Sequence, residues 1–303
     1  MLYPNGEISL SLSTPVKSHK PPQAAVSRLR GFAAQTTYSK RMVRNCIAKL
    51  ERDYGRHNLA FATYTLPDLE PDELKILQDN WAEVNRQLMQ AIARNLEGAG
   101  VAAQIVYVNE IQEERYNTSG AIVPHVHAVF QSRKSRRHSY VINKERNTQI
   151  WQRIISNVLG RSIDIPYGAS IQTIKKSAER YMSKYMSKGG KLAQQISENS
   201  SVNWMPKSWW GATLSLRNWV KANCKILSEQ AKNYIRDNYK KFQENLPESP
   251  FSWLYVHDIK LIEPDSGKEV DKPVAIVGRV RRDWIRKFSY RNLLDWNWLE
   301  KAN

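Results

Sequence analysis

Two pairs of residues stand out for chemistry: the histidines of Pro124-His125-Val126-His127-Ala128 and the tyrosines of Tyr181-Met-Ser-Lys184-Tyr185-Met-Ser-Lys188. On a strand, alternate side chains share a face, so both imidazoles project one way while Val126 and Ala128 project the other. Two nitrogen donors are thereby aimed at one point. Glu110, near the end of the preceding apolar segment, supplies a third donor if the two segments pair as a hairpin. A two-histidine, one-carboxylate set leaves coordination positions open for water and a phosphate oxygen. Taken alone, His-x-His is more often polar surface, and a lone glutamate is more often a solvated edge residue. The remaining histidines, His19, His57, His138 and His257, have no comparable spacing.

The tyrosine segment reads as a helix. At about 100° per residue, Tyr181, Lys184, Tyr185 and Lys188 fall within one arc of roughly 100°, with the tyrosine β-carbons about 5–6 Å apart. Ala178, Met182 and Met186 then occupy an adjacent face that can pack on a sheet. A phenol has a reference pKa of about 10, so on the order of one part in a thousand is ionised at neutral pH and a tyrosine nucleophile needs activation. A divalent cation and nearby lysines, Lys184 first, are suited to that task and to the charge that builds on a phosphoryl group in transfer. A surface helix whose Tyr and Lys simply reach solvent would share this spacing. What weighs against that is the order, in one strongly basic chain, of an acid-ended strand, His-x-His and a Tyr-Lys-Tyr-Lys helix.

The elements that must hold these residues follow from periodicity. Met42, Cys46 (or Ile47) and Leu50 mark a short amphipathic helix over Tyr38–Tyr54, with Arg41, Arg44 and Lys49 as candidates to face DNA. Leu59 to Leu66 is a β-branched and aromatic strand ending at Pro67-Asp68. Pro71 opens one long helix with an apolar stripe from Leu74 through Leu77, Trp81, Val84, Leu88 and Ile92 to Leu96. Strands are expected over Val101–Ile111 and Val123–Gln131, joined by a polar connector through Asn117 to Gly120. A helix over Asn147–Leu159, a strand over Ala169–Ile174 and the tyrosine helix over 177–188, stopped by Gly189-Gly190, complete the pattern. The expected fold class is α+β, a central and mainly antiparallel sheet flanked by helices. Val220 to Phe242 reads as a further helix and Pro-Asp-Ser-Gly at 264–267 as a hairpin turn, giving a C-terminal helical and hairpin extension.

Composition bounds the partners. The chain has 303 residues, and 46 basic against 29 acidic side chains give a net charge of +17, which argues for a polyanionic partner, nucleic acid first. No stretch approaches ~20 consecutive apolar residues and no signal core opens the chain, so a soluble, intracellular protein without a membrane partner is expected. Cys46 and Cys224, the only cysteines, fit neither a disulfide framework nor a zinc site and read as buried thiols. No phosphate-cradling GxxxxGK[ST] loop occurs, so strand separation is expected of another protein. Residues 1–26 are too poor in large apolar groups to order themselves and read as a flexible tail.

The run Arg133-Lys134-Ser-Arg136-Arg137 follows the metal strand and is expected to position a DNA backbone beside the metal. Trp209 and Trp210, with Trp204, are candidates to stack on unpaired bases, although tryptophan is more often packed inside.

These motifs resemble the HUH endonuclease superfamily, in particular the two-tyrosine rolling-circle replication initiators (Rep) of small plasmids and phages. Phe61-Ala-Thr63-Tyr-Thr65-Leu-Pro-Asp is similar to their first strand motif. Glu110 with His125 and His127 is similar to their metal motif, and Tyr181 to Lys188 to their nucleophile motif. Pro206-Lys-Ser-Trp209-Trp210-Gly211 and Arg217 also resemble a segment that follows the tyrosines there. The resemblance implies an RRM-like sheet core and a Mg²⁺ or Mn²⁺ ion. It further implies nicking of single-stranded origin DNA that leaves a 5′-phosphotyrosine and a free 3′ hydroxyl, then rejoining by strand transfer. It spans about Leu59 to Arg217, with 27–217 as the endonuclease domain and 218–303 as a basic module. A host helicase, a DNA polymerase and the cytoplasm of a prokaryotic host are the implied setting. A two-tyrosine transposase and a non-catalytic basic DNA-binding protein are the other readings these residues admit.

Overall fold

The computed structural model describes residues 7–11, 37–174, 177–179, 181–182, 185–186, 192, 196, 204–224, 233, 235, 238, 240, 244, 253–262 and 269–279. The chain divides into two compact units, 22–218 and 1–21 with 219–303.

The larger unit is built on a five-stranded sheet. Its strands are β2 (Leu59–Tyr64), β3 (Ile105–Ile111), β4 (Pro124–Gln131), β5 (Ala169–Thr173) and β6 (Trp210–Ala212). The order is β5-β2-β4-β3-β6 and every pairing is antiparallel, in accord with the expected fold class. The strands of the sheet are largely buried because both faces are covered. Ala60, Ala62, Tyr64, Val126, Ala128 and Phe130 pack against the buried stripes of three helices. These are α2 (Pro71–Asp79), α3 (Trp81–Gly98) and α5 (Lys144–Leu159). Three of the polar side chains in this layer are paired across it. Tyr64 donates to Asn147 Oδ1 at 2.6 Å, Trp151 Nε1 to the Thr65 carbonyl at 2.8 Å, and Trp81 Nε1 to Asn109 Oδ1 at 3.1 Å.

The other face carries His125 and His127. It is covered by α1 (Thr37–Tyr54), which contacts β2, β3, β4 and β6 through a face that buries Met42, Val43, Cys46, Ile47 and Leu50. The helical residues at 178–179, 181–182 and 185–186 follow on the same side. Ala178, Met182 and Met186 are buried, and the Ala178 backbone N–H donates to Glu51 on α1 at 3.0 Å.

Several boundaries differ from expectation. The long helix is two, broken at Asn80 (φ −100°, ψ 12°), whose carboxamide donates to the Ile76 carbonyl at 2.9 Å and so competes with the helical ladder. Its apolar stripe nevertheless continues across the break, from Leu77 to Trp81 and on to Leu96. The polar connector after β3 is a helix, α4 (Glu113–Ser119), closed by Gly120 at φ 70°. β6 was not expected, since three residues carry no periodicity. It needs Gly211, where a side chain would run into the Tyr107 ring of β3.

In the smaller unit, β1 (Glu7–Ser11) pairs with β8 (Glu269–Arg279), which pairs with β7 (Trp253–Ile262), all antiparallel. The reading of 1–26 as a tail therefore fails at 7–11. β7 and β8 form the expected hairpin, although its turn at 264–267 lies outside the described residues, as does Gly189-Gly190. After β6 comes α6 (Leu214–Asn223). Of the region read as a helix over 220–242, the described residues 233, 235, 238 and 240 are helical. Cys46 is buried as expected and Cys224 only partly so.

Candidate metal and tyrosine site

Strand register assembles the donors. Glu110 on β3 lies directly opposite His125 on β4, and His127 lies opposite Thr63 on β2. Alternation puts Glu110, His125, His127 and Thr63 on one face of the sheet. The twelve-residue excursion from β3 to β4 does not disturb this register, because α4 takes up the extra chain and Gln112 N–H closes on the Val123 carbonyl at 3.0 Å. One donor atom each from Glu110, His125 and His127 lies within 4.8 Å of the others.

Neighbouring threonines hold both rings. His127 Nε2 is 2.7 Å from Glu110 Oε2, and its Nδ1 is 3.1 Å from Thr63 Oγ1. His125 Nε2 is 2.8 Å from Thr65 Oγ1. Burial pulls His127 down from its ordinary 6.5 to about 3. For His125 burial also leads, with His127 and Arg115 lowering it and Glu110 opposing, to about 3. Both imidazoles are therefore neutral at physiological pH, the form that binds metal. Two neutral imidazoles and one carboxylate, braced by second hydrogen bonds, are a donor set that fits a divalent cation.

The tyrosines meet this set across a shared aromatic cluster. Tyr185 stacks on His127 with ring centroids 3.7 Å apart, and on Phe61 at 5.6 Å. Tyr181 meets Phe61 edge-on at 5.0 Å and lies 5.9 Å from Tyr185. Burial, followed by the proximity of Tyr181 and Glu110, raises the Tyr185 phenol above its usual range. Tyr181 is 48% exposed. Beside them opens a cleft of about 1080 Å³ that Glu110, His125 and Tyr185 line on one side and α4 on the other. Arg115 ties α4 across it, donating to the Pro67 carbonyl and pairing with Asp68, each at 3.0 Å.

The structure thus brings together Glu110, His125, His127, Tyr181 and Tyr185. Lys184 and Lys188 lie outside the described residues. The remaining expected DNA contacts are redistributed. Arg133, Lys134, Arg136 and Arg137 follow the end of β4 at Gln131, whereas His125 and His127 lie toward its start, so the basic run is at the other end of the strand from the metal set. Arg133 donates twice to the His57 carbonyl, at 3.0 and 2.6 Å, and serves to hold the loop; Lys134, Arg136 and Arg137 are exposed. Trp209 is 2% exposed and packs with Ile111, Leu192 and Ile196, so it offers no stacking face, whereas Trp210 on β6 is half-buried. On α1, Arg41 is buried, Arg44 is 3.9 Å from Glu179, and Lys49 pairs with Asp53. None of the three presents a free cation to DNA.

Thr63, Thr65 and Phe61, placed by resemblance in a strand motif without a role, gain one here as neighbours of His127, His125 and the tyrosines. The signal was present, since Phe-x-Thr-x-Thr alternates with the same period as His-x-His and faces the same side once the strands pair. Among the described residues no helix is long and apolar enough to cross a membrane. Comparison with family models, curated proteins and solved structures returned no match to this chain.

Proposed function

We propose that the chain is a metal-dependent enzyme that nicks and rejoins single-stranded DNA through tyrosine, in the manner of a rolling-circle replication initiator. The observation that carries this is the placement of Tyr185 against His127 within the Glu110, His125 and His127 set, at the edge of an open cleft. A buried metal-capable triad alone would fit many roles. A stacked tyrosine, with a second one turn away, supports phosphoryl transfer onto phenol among them.

In this reading Glu110, His125 and His127 would hold a Mg²⁺ or Mn²⁺ ion, which would supply polarisation of a non-bridging phosphate oxygen. The Tyr185 Oη attacks phosphorus and loses its proton, and the bond from phosphorus to the 3′ oxygen breaks. That oxygen takes up a proton and leaves as the 3′ hydroxyl, while the 5′ phosphate stays on tyrosine. Attack by a 3′ hydroxyl on the phosphotyrosine reverses these bonds and rejoins DNA. Burial raises the Tyr185 phenol, so this nucleophile needs activation, which a cation held by the triad would supply. Lys184 is the proposed electrostatic partner of the phenolate. The 3′ end would prime a polymerase, with a separate helicase opening the duplex.

The test is incubation of the full chain with a labelled single-stranded oligonucleotide in Mn²⁺ or EDTA, with mass-spectrometric mapping of the adduct. A Mn²⁺-dependent adduct on Tyr185 or Tyr181 is expected. Its persistence in a Tyr181→Phe, Tyr185→Phe double variant would refute the proposal.

A further inference from the structure

On the helical side of the sheet a groove of about 520 Å³ runs between α3 and α5. Its floor is Ala91 and Ile154, members of the core that covers Ala60, Ala62, Val126 and Ala128. It therefore opens on the face away from Glu110, His125 and His127. Its walls carry Arg94 from α3 and Arg146 and Arg153 from α5, interleaved with the carboxamides of Gln87, Asn95 and Asn157. No carboxylate and no aromatic ring is among the described residues that line it.

The three guanidiniums are exposed, and among the described residues none has a carboxylate within ion-pair distance. The Arg146 guanidinium donates to Asn95 Oδ1, at 3.2 Å. Glu83, one turn before Gln87, is already held by Arg86 and Gln87. Three like charges converge on one groove, and Arg146 stands in the first turn of α5, where the helix dipole disfavours a cation. A bound polyanion relieves both.

We infer that this groove holds the phosphodiester backbone of duplex DNA, on a surface separate from the nicking site. Guanidinium forks match phosphate oxygens, and carboxamides add neutral donors between them. Arg146 and Arg153 are about 10 Å apart along α5, far enough for each to meet a different phosphate of one backbone. Single strands are held by aromatic platforms on which bases stack, and the groove has none; the rings of Phe61, Tyr181 and Tyr185 are all on the opposite face. The choice of DNA among polyanions rests on the nicking reading.

The test is the affinity of the full chain for a fluorescent duplex of unrelated sequence across a salt series, for wild type and the Arg94→Gln, Arg153→Gln double variant. The variant is expected to lose about tenfold or more in affinity and to show a log–log salt slope shallower by about 2. Its thermal unfolding should be unchanged, and its cleavage of single-stranded oligonucleotide should equal that of wild type. Lysine at both positions should restore the slope. Duplex affinity and slope equal to wild type would overturn the inference. So would a larger loss of affinity for polyglutamate than for duplex, which would put an acidic protein segment in the groove. Duplex binding through these arginines by a chain that forms no tyrosine adduct refutes nicking alone; adduct formation with duplex binding indifferent to them refutes the groove alone.

Discussion

The ring of Tyr185 lies face to face with that of His127, centroids 3.7 Å apart and planes 28° from parallel. A phenol stacked on one member of a metal-capable triad shares its desolvated surroundings. Phe61 extends the stack and touches Tyr181 at its edge, so both tyrosines are ordered by a single aromatic side chain of β2.

This geometry makes the two tyrosines unequal. Tyr185→Phe keeps the stacked ring and removes only the oxygen, so the fold should survive while first cleavage falls by more than about a thousandfold. Tyr181→Phe should cleave at near the wild-type rate but fail in a second, strand-transferring cleavage. Single-turnover assays on a labelled oligonucleotide separate the two; equal losses in both variants would show the tyrosines to be interchangeable.

Metal binding should be detectable without any DNA. Mn²⁺ at about a hundred times its dissociation constant should stabilise the wild-type chain by about 2.7 kcal/mol, reversibly with EDTA. Glu110→Gln keeps the shape but removes the charge, and should abolish most of that gain. Thermal unfolding with and without Mn²⁺ checks this, and an equal shift in the variant would place the ion elsewhere.

Thr63 touches His127 through Nδ1 and no donor atom of the triad needs to move when it is replaced. Thr63→Val should therefore lower Mn²⁺ affinity about 10–100-fold with little change in metal-free stability, and Thr63→Ser should recover it. Calorimetric titration is the measurement. Unaltered affinity in the valine variant would mean the hydroxyl does not orient the ring.

Acid should destabilise the metal-free protein through its histidines. Both have folded values of about 3 against 6.5 for the free side chain, chiefly through burial. Between those values the unfolded chain binds more protons than the folded one, so stability is complete above pH 6.5 and falls as pH falls toward 3. For fully buried His127 the slope is at most about 1.4 kcal/mol per pH unit. Urea midpoints measured at intervals from neutral pH to pH 4 should decline less steeply in His127→Gln. An equal decline would show that His127 is already charged in the folded state.

The sequence by itself determined what depends on neighbours a few residues apart. Period-two alternation placed His125 and His127 on one face of a strand, and helical spacing placed Tyr181 beside Tyr185, because a side chain's direction follows from local backbone geometry. The stripe from Leu77 to Leu96 likewise marked buried positions before any tertiary contact was known, even though it ran unbroken past the stop at Asn80. Only the tertiary structure decided which of these faces meet. Glu110 became a third donor through a register with His125 that spans a helix of seven residues. Thr63 and Thr65 gained roles because β4 pairs with β2 from some sixty residues away. Residues 7–11 became a strand because β8, near the other end of the chain, offers them an edge. Trp209 and Arg133, read as contacts for DNA, were taken by the core and by the His57 carbonyl. Tryptophan and arginine serve burial, bracing and recognition equally well by type, and the choice among those uses is made by partners distant in sequence, whose pairing no local pattern encodes.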